Sequence, residues 1–171
     1  GLEVVRLKGG DPSIFGRVGE EAGFLRAHGI EVEVVPGVTA ACAAAAQFGF
    51  PLTHRGEARR VVFTTASLQS GALAADWSSA ADPEATVCIY MGGAAAGEVA
   101  RRLIEAGRRS GTPVCVVESA GRPEARELFD GSPAQLAGAD LRSSGGPVLI
   151  VIGEATARTA ALAAEPLAAS A

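Results

Sequence analysis

The stretch RLKGGDPSIFGR, Arg6 to Arg17, decides how this chain is read. Leading into it, Leu2 to Leu7 is a short apolar run of the kind that forms a buried strand, and the Gly9-Gly10-Asp11-Pro12 cluster stops that run abruptly. A strand running into glycines is a place where backbone meets a ligand. Without a Cβ, amide and carbonyl groups can line a narrow pocket at the strand's carboxyl end. No GxGxxG and no P-loop pattern occurs anywhere, so a nucleotide-like ligand would need a different architecture. Taken alone, GGDP is more often a plain turn.

Downstream, Gly16 to His28 places Val18, Ala22 and Leu25 at helical spacing, with Glu20 and Glu21 early, Arg26 late and Gly29 after the end. That charge order suits the helix dipole, and His28 at the carboxyl end compensates the same dipole. Glu31 to Val35 reads as a strand broken by Pro36-Gly37. Val38 to Phe48 is an alanine-rich buried helix closed by Gly49. The rhythm is strand-helix-strand-helix, that of an α/β domain. The polar stretch PLTHRGEARR, Pro51 to Arg60, interrupts the apolar pattern. The first domain is therefore placed at 1–52, a linker at 53–60 and a second α/β domain at 61–155. Five apolar runs follow, Val61 to Thr65, Thr86 to Met91, Pro113 to Glu118, Ala125 to Phe129 and Pro147 to Ile152, enough for a five-stranded sheet. Helices are expected at Ala94 to Ala106, through Val99, Leu103 and Ile104, and after the Ser132-Pro133 start signal. The alanine-rich tail, 156–171, has helix propensity but only Leu162 and Leu167 to anchor it, so fraying or disorder is as open as docking.

Bulk properties narrow the function classes. Of 171 residues, 48% are hydrophobic and 5% aromatic, which leaves few stacking platforms for single-stranded nucleic acid. A net charge of -4 offers no general attraction to phosphate backbones, so an anionic ligand must find local positive charge. Cys42, Cys88 and Cys115 are dispersed among apolar residues, as buried free thiols of a reducing compartment are. With His28 and His54 they form no metal-ligand spacing, and no metal is expected. No apolar run approaches the roughly 20 residues of a membrane span, and a soluble, cytoplasmic protein is expected.

The longer run RLKGGDPSIFGRVGEE, Arg6 to Glu21, is followed by EVVPGVTAACAA, Glu33 to Ala44, and PLTHRG, Pro51 to Gly56. Three motifs in this order resemble the tetrapyrrole methylase family, and within it the uroporphyrinogen-III C-methyltransferases. The segments VCIYMGG, Val87 to Gly93, TPVCVVESAGRPEAREL, Thr112 to Leu128, and PVLIVIGEA, Pro147 to Ala155, resemble the family's second domain. Lys8, Phe15-Gly16-Arg17, Glu20-Glu21 and THRG, Thr53 to Gly56, are more similar to the first-step enzyme than to the later corrin-ring methylases. Ser13, Val18 and VVFTTAS, Val61 to Ser67, depart from the usual pattern, the last lacking a TGH.

The resemblance implies a two-domain tetrapyrrole methylase-like fold, here with a partial first α/β domain. It implies S-adenosylmethionine as cofactor, S-adenosylhomocysteine as product, and C-methylation of uroporphyrinogen III to precorrin-2. Carried over by motif, cofactor contacts fall on Gly9, Gly10, Asp11, Ile14, Thr39, Ala40, Met91 and the backbone near Ala120. Glycine and alanine backbones can pair with adenine and amino-acid groups, while Ile14 and Met91 offer apolar and soft contacts. Asp11 can instead cap its own turn, and Met91 can simply pack at a strand end.

A polycarboxylate macrocycle asks for Arg forks or Lys charges, which directs attention to Lys8, Arg17, His54 and Arg55, with Arg59 and Arg60 as readily a solvated face. The family's acid/base residues lie in a preceding segment, so no catalytic base is named in this chain. The chain alone is expected to be inactive, with an incomplete first sheet. The resemblance further implies a homodimer, common in this family, acting on a small-molecule tetrapyrrole without nucleic acid or membrane. A methylase of a later precorrin or of ribosomal RNA, and a noncatalytic cofactor-binding module, remain the alternative readings.

Overall fold

The computed structural model describes residues 2–66, 68–69, 72–73 and 77–158. The chain divides into two compact units, residues 1–40 and 41–171. In the first, α1 spans Val18–Ala27. It starts from a left-handed Arg17 (φ 56°) with Glu20 and Glu21 in its opening turn. It closes with Gly29 at φ 74° and the Ile30 N–H donating to the Leu25 carbonyl at 3.1 Å, a Schellman-type end that only a residue tolerant of positive φ allows cheaply. His28 sits on that end with its Nδ1 2.8 Å from the Phe24 carbonyl and its ring stacked obliquely on Phe24.

The strands expected at Leu2 to Leu7 and Glu31 to Val35 are not formed. Leu2, Val4, Val5 and Leu7 are 94%, 85%, 79% and 81% exposed, so both alternating faces of the run stand uncovered. Apolar residues on both faces mark a strand meant for a sheet packed on both sides, and a strand exists only when neighbours satisfy its N–H and C=O groups. Residues 2–40 supply no such neighbour.

In the second unit, α2 (Ala40–Phe48, its first residue shared with the first unit) precedes β1 (Arg60–Thr65). Two two-residue strands, β2 (Leu68–Gln69) and β3 (Ala72–Leu73), pair antiparallel, and α3 (Trp77–Ala80) follows. Next come β4 (Ala85–Tyr90), a 3₁₀ turn at Gly93–Ala95, α4 (Ala96–Glu105), β5 (Val114–Glu118), β6 (Arg126–Gly131), α5 (Pro133–Leu136), β7 (Val148–Ile152) and a 3₁₀ turn at Glu154–Arg158. All five expected runs join one mixed sheet in the order β1-β4-β7-β5-β6. β1 and β4 are parallel, and β7 runs antiparallel between β4 and β5. The carboxyl ends of β1, β4 and β5 therefore share one edge. The short pieces β2, β3 and α3 were not foreseen, and the tail beyond residue 158 lies outside the described residues.

Alternation along the strands sorts side chains to two covered faces. Val87, Ile89, Val114, Val116, Ile150 and Ile152 meet Val99, Ala100 and Leu103 of α4 and Leu136 of α5. Cys88, Cys115, Val117, Leu149 and Val151 meet Ala41 and Ala44 of α2 with Phe50. The sheet is thus the middle layer of an α/β sandwich. Pro51 to Arg60, read as linker, includes a tight bridge in which His54 and Ala58 exchange backbone hydrogen bonds at 2.9 and 3.0 Å. Arg60 pairs with Asp82 and Glu84.

Cys88 and Cys115 are buried, but Cys42 is exposed, because α2 turns its Ala41 and Ala44 side to the sheet. Burial pushes the Cys88 thiol up to about 12. Among the described residues no helix is long and apolar enough to cross a membrane, and no group of three or more His, Cys, Asp or Glu could hold a metal.

Candidate functional site

In the first unit the GGDP loop and the PGVTA loop are locked into each other. Gly10 adopts φ 75°, and a Cβ there would lie 3.3 Å from the Val38 carbonyl oxygen and 3.6 Å from the Ala40 nitrogen. A Cβ on Gly37 would come within 3.0 Å of the Gly10 carbonyl carbon. Gly37 has no room for a side chain, and at Gly10 the positive φ and the tight approach to Val38 disfavour one, so two backbones pass in direct contact. Asp11 ties them. Its Oδ2 accepts from the Gly37 N–H at 3.0 Å, and its Oδ1 accepts from the Ser13 N–H at 2.8 Å and from the Ser13 hydroxyl. The Ser13 hydroxyl and then the Gly37 amide hold the Asp11 carboxyl below its usual range. This makes Ser13, noted as a departure, part of an Asx turn around Asp11.

The predicted residues Gly10, Asp11, Thr39 and Ala40 are therefore brought together. Gly9 is exposed on the same loop, Ile14 is half-buried after it, and Thr39 is buried. Phe15 and Arg17 follow at φ 54° and 56°, two left-handed residues within three positions. Such backbone is strained for non-glycine residues, and strain of this kind gathers where a ligand or switch requires it.

The basic candidates differ in what already holds them. The Lys8 ammonium donates to the Gly16 carbonyl at 2.7 Å and to Glu21 at 2.6 Å, and its side chain is only 15% exposed. It fastens the loop to α1. Arg17 is exposed and pairs with Glu20 one turn on, at 2.6 Å. His54 lies 3.8 Å from Glu57 within the bridged turn, and Arg55 beside it is exposed.

In the second unit the shared strand edge carries Met91 and Ala120. Met91 follows β4 at φ 57° and is 58% exposed, while Ser119 follows β5 at φ 58° and is buried. Two non-glycine residues in the left-handed region thus end the two strands flanking β7, about 10 Å apart by ordinary strand spacing. After Met91 the chain crosses the sheet on glycines. A Cβ on Gly92 would lie 2.8 Å from Ile150 Cδ1, and one on Gly93 2.9 Å from Val148 Cβ. The Ala41 N–H donates to the Tyr90 hydroxyl at 3.3 Å, and Tyr90 packs edge-on against Phe63, which fixes α2 beside the end of β4. Sequence reasoning did not single out Gly37, Glu118 or Ser119 as site residues. The available signal was an acid closing the otherwise apolar run VCVVE, Val114 to Glu118.

A family model described as Tetrapyrrole (Corrin/Porphyrin) Methylases matches residues 1–137. A siroheme synthase of Xylella fastidiosa (strain M12) is 45% identical over 157 residues, covering 92% of this chain and 33% of that protein. A uroporphyrinogen-III C-methyltransferase of Paracoccus denitrificans (strain Pd 1222) is 43% identical over 158 residues, covering 92% of this chain and 55% of that protein. The crystal structure of a uroporphyrin-III C-methyltransferase from Thermus thermophilus, complexed with S-adenyl homocysteine, superposes with a TM-score of 0.74 at 38% identity. It is matched over 89% of this chain and 66% of that one. The chain thus spans a third to two thirds of the length of these relatives.

Proposed function

The chain belongs to the tetrapyrrole methylase family, and from that premise we propose that the protein containing it methylates uroporphyrinogen III at carbon, using S-adenosylmethionine and giving precorrin-2 and S-adenosylhomocysteine. The observation that carries the reading is the interlock of Gly10, Asp11 and Gly37. It is a tight backbone cradle, closed to a side chain at Gly37, in a chain whose 38%-identical structural relative was crystallised with S-adenyl homocysteine.

The residues present suit that cofactor. Gly9, Gly10, Asp11, Ile14, Thr39, Ala40, Met91 and Ala120 are the proposed contacts. Exposed backbone groups suit adenine and amino-acid ends, and the soft Met91 side chain suits a thioether. When bound, the cofactor supplies an electrophilic methyl on sulfur. The protein's part is to orient, to exclude water and to hold carboxylates, and positioning is the larger share of such catalysis. Arg17 and Arg55 are the proposed carboxylate forks, because both are exposed and lie inside matched motifs. Lys8 and His54 complete the proposed set, Lys8 chiefly by holding its loop.

The same reading assigns residues 1–52 to a first α/β domain, completed in the whole protein by strands that cover Leu2, Val4, Val5 and Leu7, with the acid/base groups supplied outside this chain. It takes the protein as a cytoplasmic homodimer with a free tetrapyrrole substrate and neither metal, nucleic acid nor membrane.

The test is label transfer. Full-length gene product with methyl-labelled cofactor and uroporphyrinogen III should yield labelled precorrin-2, and residues 1–171 alone should yield none. Labelling of a later precorrin or of RNA but not of uroporphyrinogen would refute the substrate, and tight cofactor binding with no transfer to any of them would refute the enzyme.

A further inference from the structure

Glu118, the last residue of β5, is a carboxylate with no access to water: it is 1% exposed. Both oxygens are fully engaged. Oε1 accepts from the Ser143 hydroxyl at 2.6 Å, the Ser144 N–H at 2.8 Å and the Gly146 N–H at 3.0 Å. Oε2 accepts from the Ser144 hydroxyl at 2.9 Å and from Arg126 Nε at 2.8 Å. Five donors from two segments converge on one side chain. A buried carboxylate is costly, and replacing it with a well-packed apolar residue is often neutral or better for stability. What the charge provides instead is one fixed arrangement of the groups around it.

That arrangement leads directly into the Ser119–Arg122 turn. Ser119 is left-handed, and its N–H donates to the Pro147 carbonyl at 2.8 Å. Gly146 fits beneath it only as glycine, since a Cβ there would lie 2.5 Å from Ser119 Oγ and 3.0 Å from Glu118 Cγ. At the turn's far side Gln47 of α2 makes two bonds, accepting from the Gly121 N–H at 2.7 Å and donating to the Arg122 carbonyl at 3.1 Å. The turn is gripped at both ends, and Ala120 lies between the grips.

We propose that Glu118 is a positioning residue for the Ser119–Arg122 turn, fixing the backbone at Ala120 that contacts S-adenosylmethionine. This rests on the cofactor site proposed above. Glu118 touches neither cofactor nor substrate in this scheme. It acts through the 143–146 loop, which it holds against the strand end, and through the conformation that loop imposes on Ser119. A group that merely stabilised the fold would affect melting without a selective effect on the cofactor.

The experiment uses full-length gene product and three readouts: amide hydrogen exchange without ligand, calorimetric titration with S-adenosylhomocysteine, and steady-state kinetics. For Glu118→Gln, amides of 119–121 and 143–146 should exchange roughly tenfold faster, and S-adenosylhomocysteine should bind roughly tenfold more weakly. The KM for S-adenosylmethionine should rise in parallel, with kcat at saturating cofactor and the KM for tetrapyrrole within about twofold of the parent. Ser144→Ala, which removes one of the five donors, should show the same pattern at roughly threefold. If Glu118→Gln does not fold, Ser144→Ala and Ser143→Ala decide in the same way. A folded variant whose melting falls while its affinity for S-adenosylhomocysteine stays within about twofold of the parent overturns the positioning role. Failure of the parent protein to bind S-adenosylhomocysteine would overturn the cofactor site itself, and the positioning role with it.

Discussion

The N–H of Gly37 lies 3.0 Å from Asp11 Oδ2, joining two loops separated by 26 residues. Because the same carboxylate also accepts two bonds from Ser13, one side chain sets both the shape of its own turn and the distance to the next loop. Asp11→Ala removes all three bonds. We expect a loss of affinity for S-adenosylhomocysteine of at least tenfold in the full-length protein, measured by titration calorimetry. Asp11→Asn, which keeps an acceptor, should lose less.

Met91 is left-handed and largely exposed at the end of β4. Replacing it with glycine relieves backbone strain of about 1 kcal/mol but returns about the same in chain entropy, so stability should change by less than about 1 kcal/mol. Cofactor affinity should nevertheless fall, because the thioether and its apolar contact are gone. Parallel melts and S-adenosylhomocysteine titrations of Met91→Gly would show the two effects separately.

Acid should reach the second unit through Glu118. Hydrogen bonds, first that from Ser143, hold its carboxyl at about 2, against an ordinary 4.5. A carboxylate lowered by folding stabilises the protein at pH values above its unfolded value, and that contribution disappears as pH falls from about 4.5 toward 2. The melting difference between the parent and Glu118→Gln should therefore be full at pH 7 and shrink progressively below pH 4.5. A difference that stayed constant down to pH 3 would contradict the assignment.

The α4 face of the sheet depends on Leu103, wholly buried among Val87, Ile89, Val99 and Ile150. Leu103→Ala should cost about 3 kcal/mol by denaturant titration. Cys42→Ser, on the exposed side of α2, should cost less than about 0.5 kcal/mol.

Local pattern carried most of the second unit. Val87-Cys88-Ile89 and Leu149-Ile150-Val151 are apolar at every position because both faces of the sheet are covered, and such runs are legible as strands without knowledge of their partners. The same logic misread Leu2 to Leu7, since apolar character records a strand's intended burial but the ladder needs a neighbour. α1 was legible to within two residues from its early acids and Gly29. Cys42 was misplaced because, within a helix, its neighbours Ala41 and Ala44 take the buried side and leave it about 100° and more away, facing out. In the site, glycines announced the loop at Gly9-Gly10, but the partner that gives Asp11 its work is 26 residues away. Likewise Glu118 reads as an ordinary strand end until the 143–146 loop folds back over it.

The place of β7 has a consequence for synthesis. Val148–Ile152 comes later in the chain than the other four strands of this sheet and lies between β4 and β5, so the β1–β4 and β5–β6 pairs have nothing to join them until it arrives. A ribosome translating this message has therefore made the β1–β4 pair and the β5–β6 pair well before the two can join into one sheet. Until residue 152 has left the exit tunnel, the nascent chain must carry those apolar strands with open edges, the interval in which chaperone protection matters most.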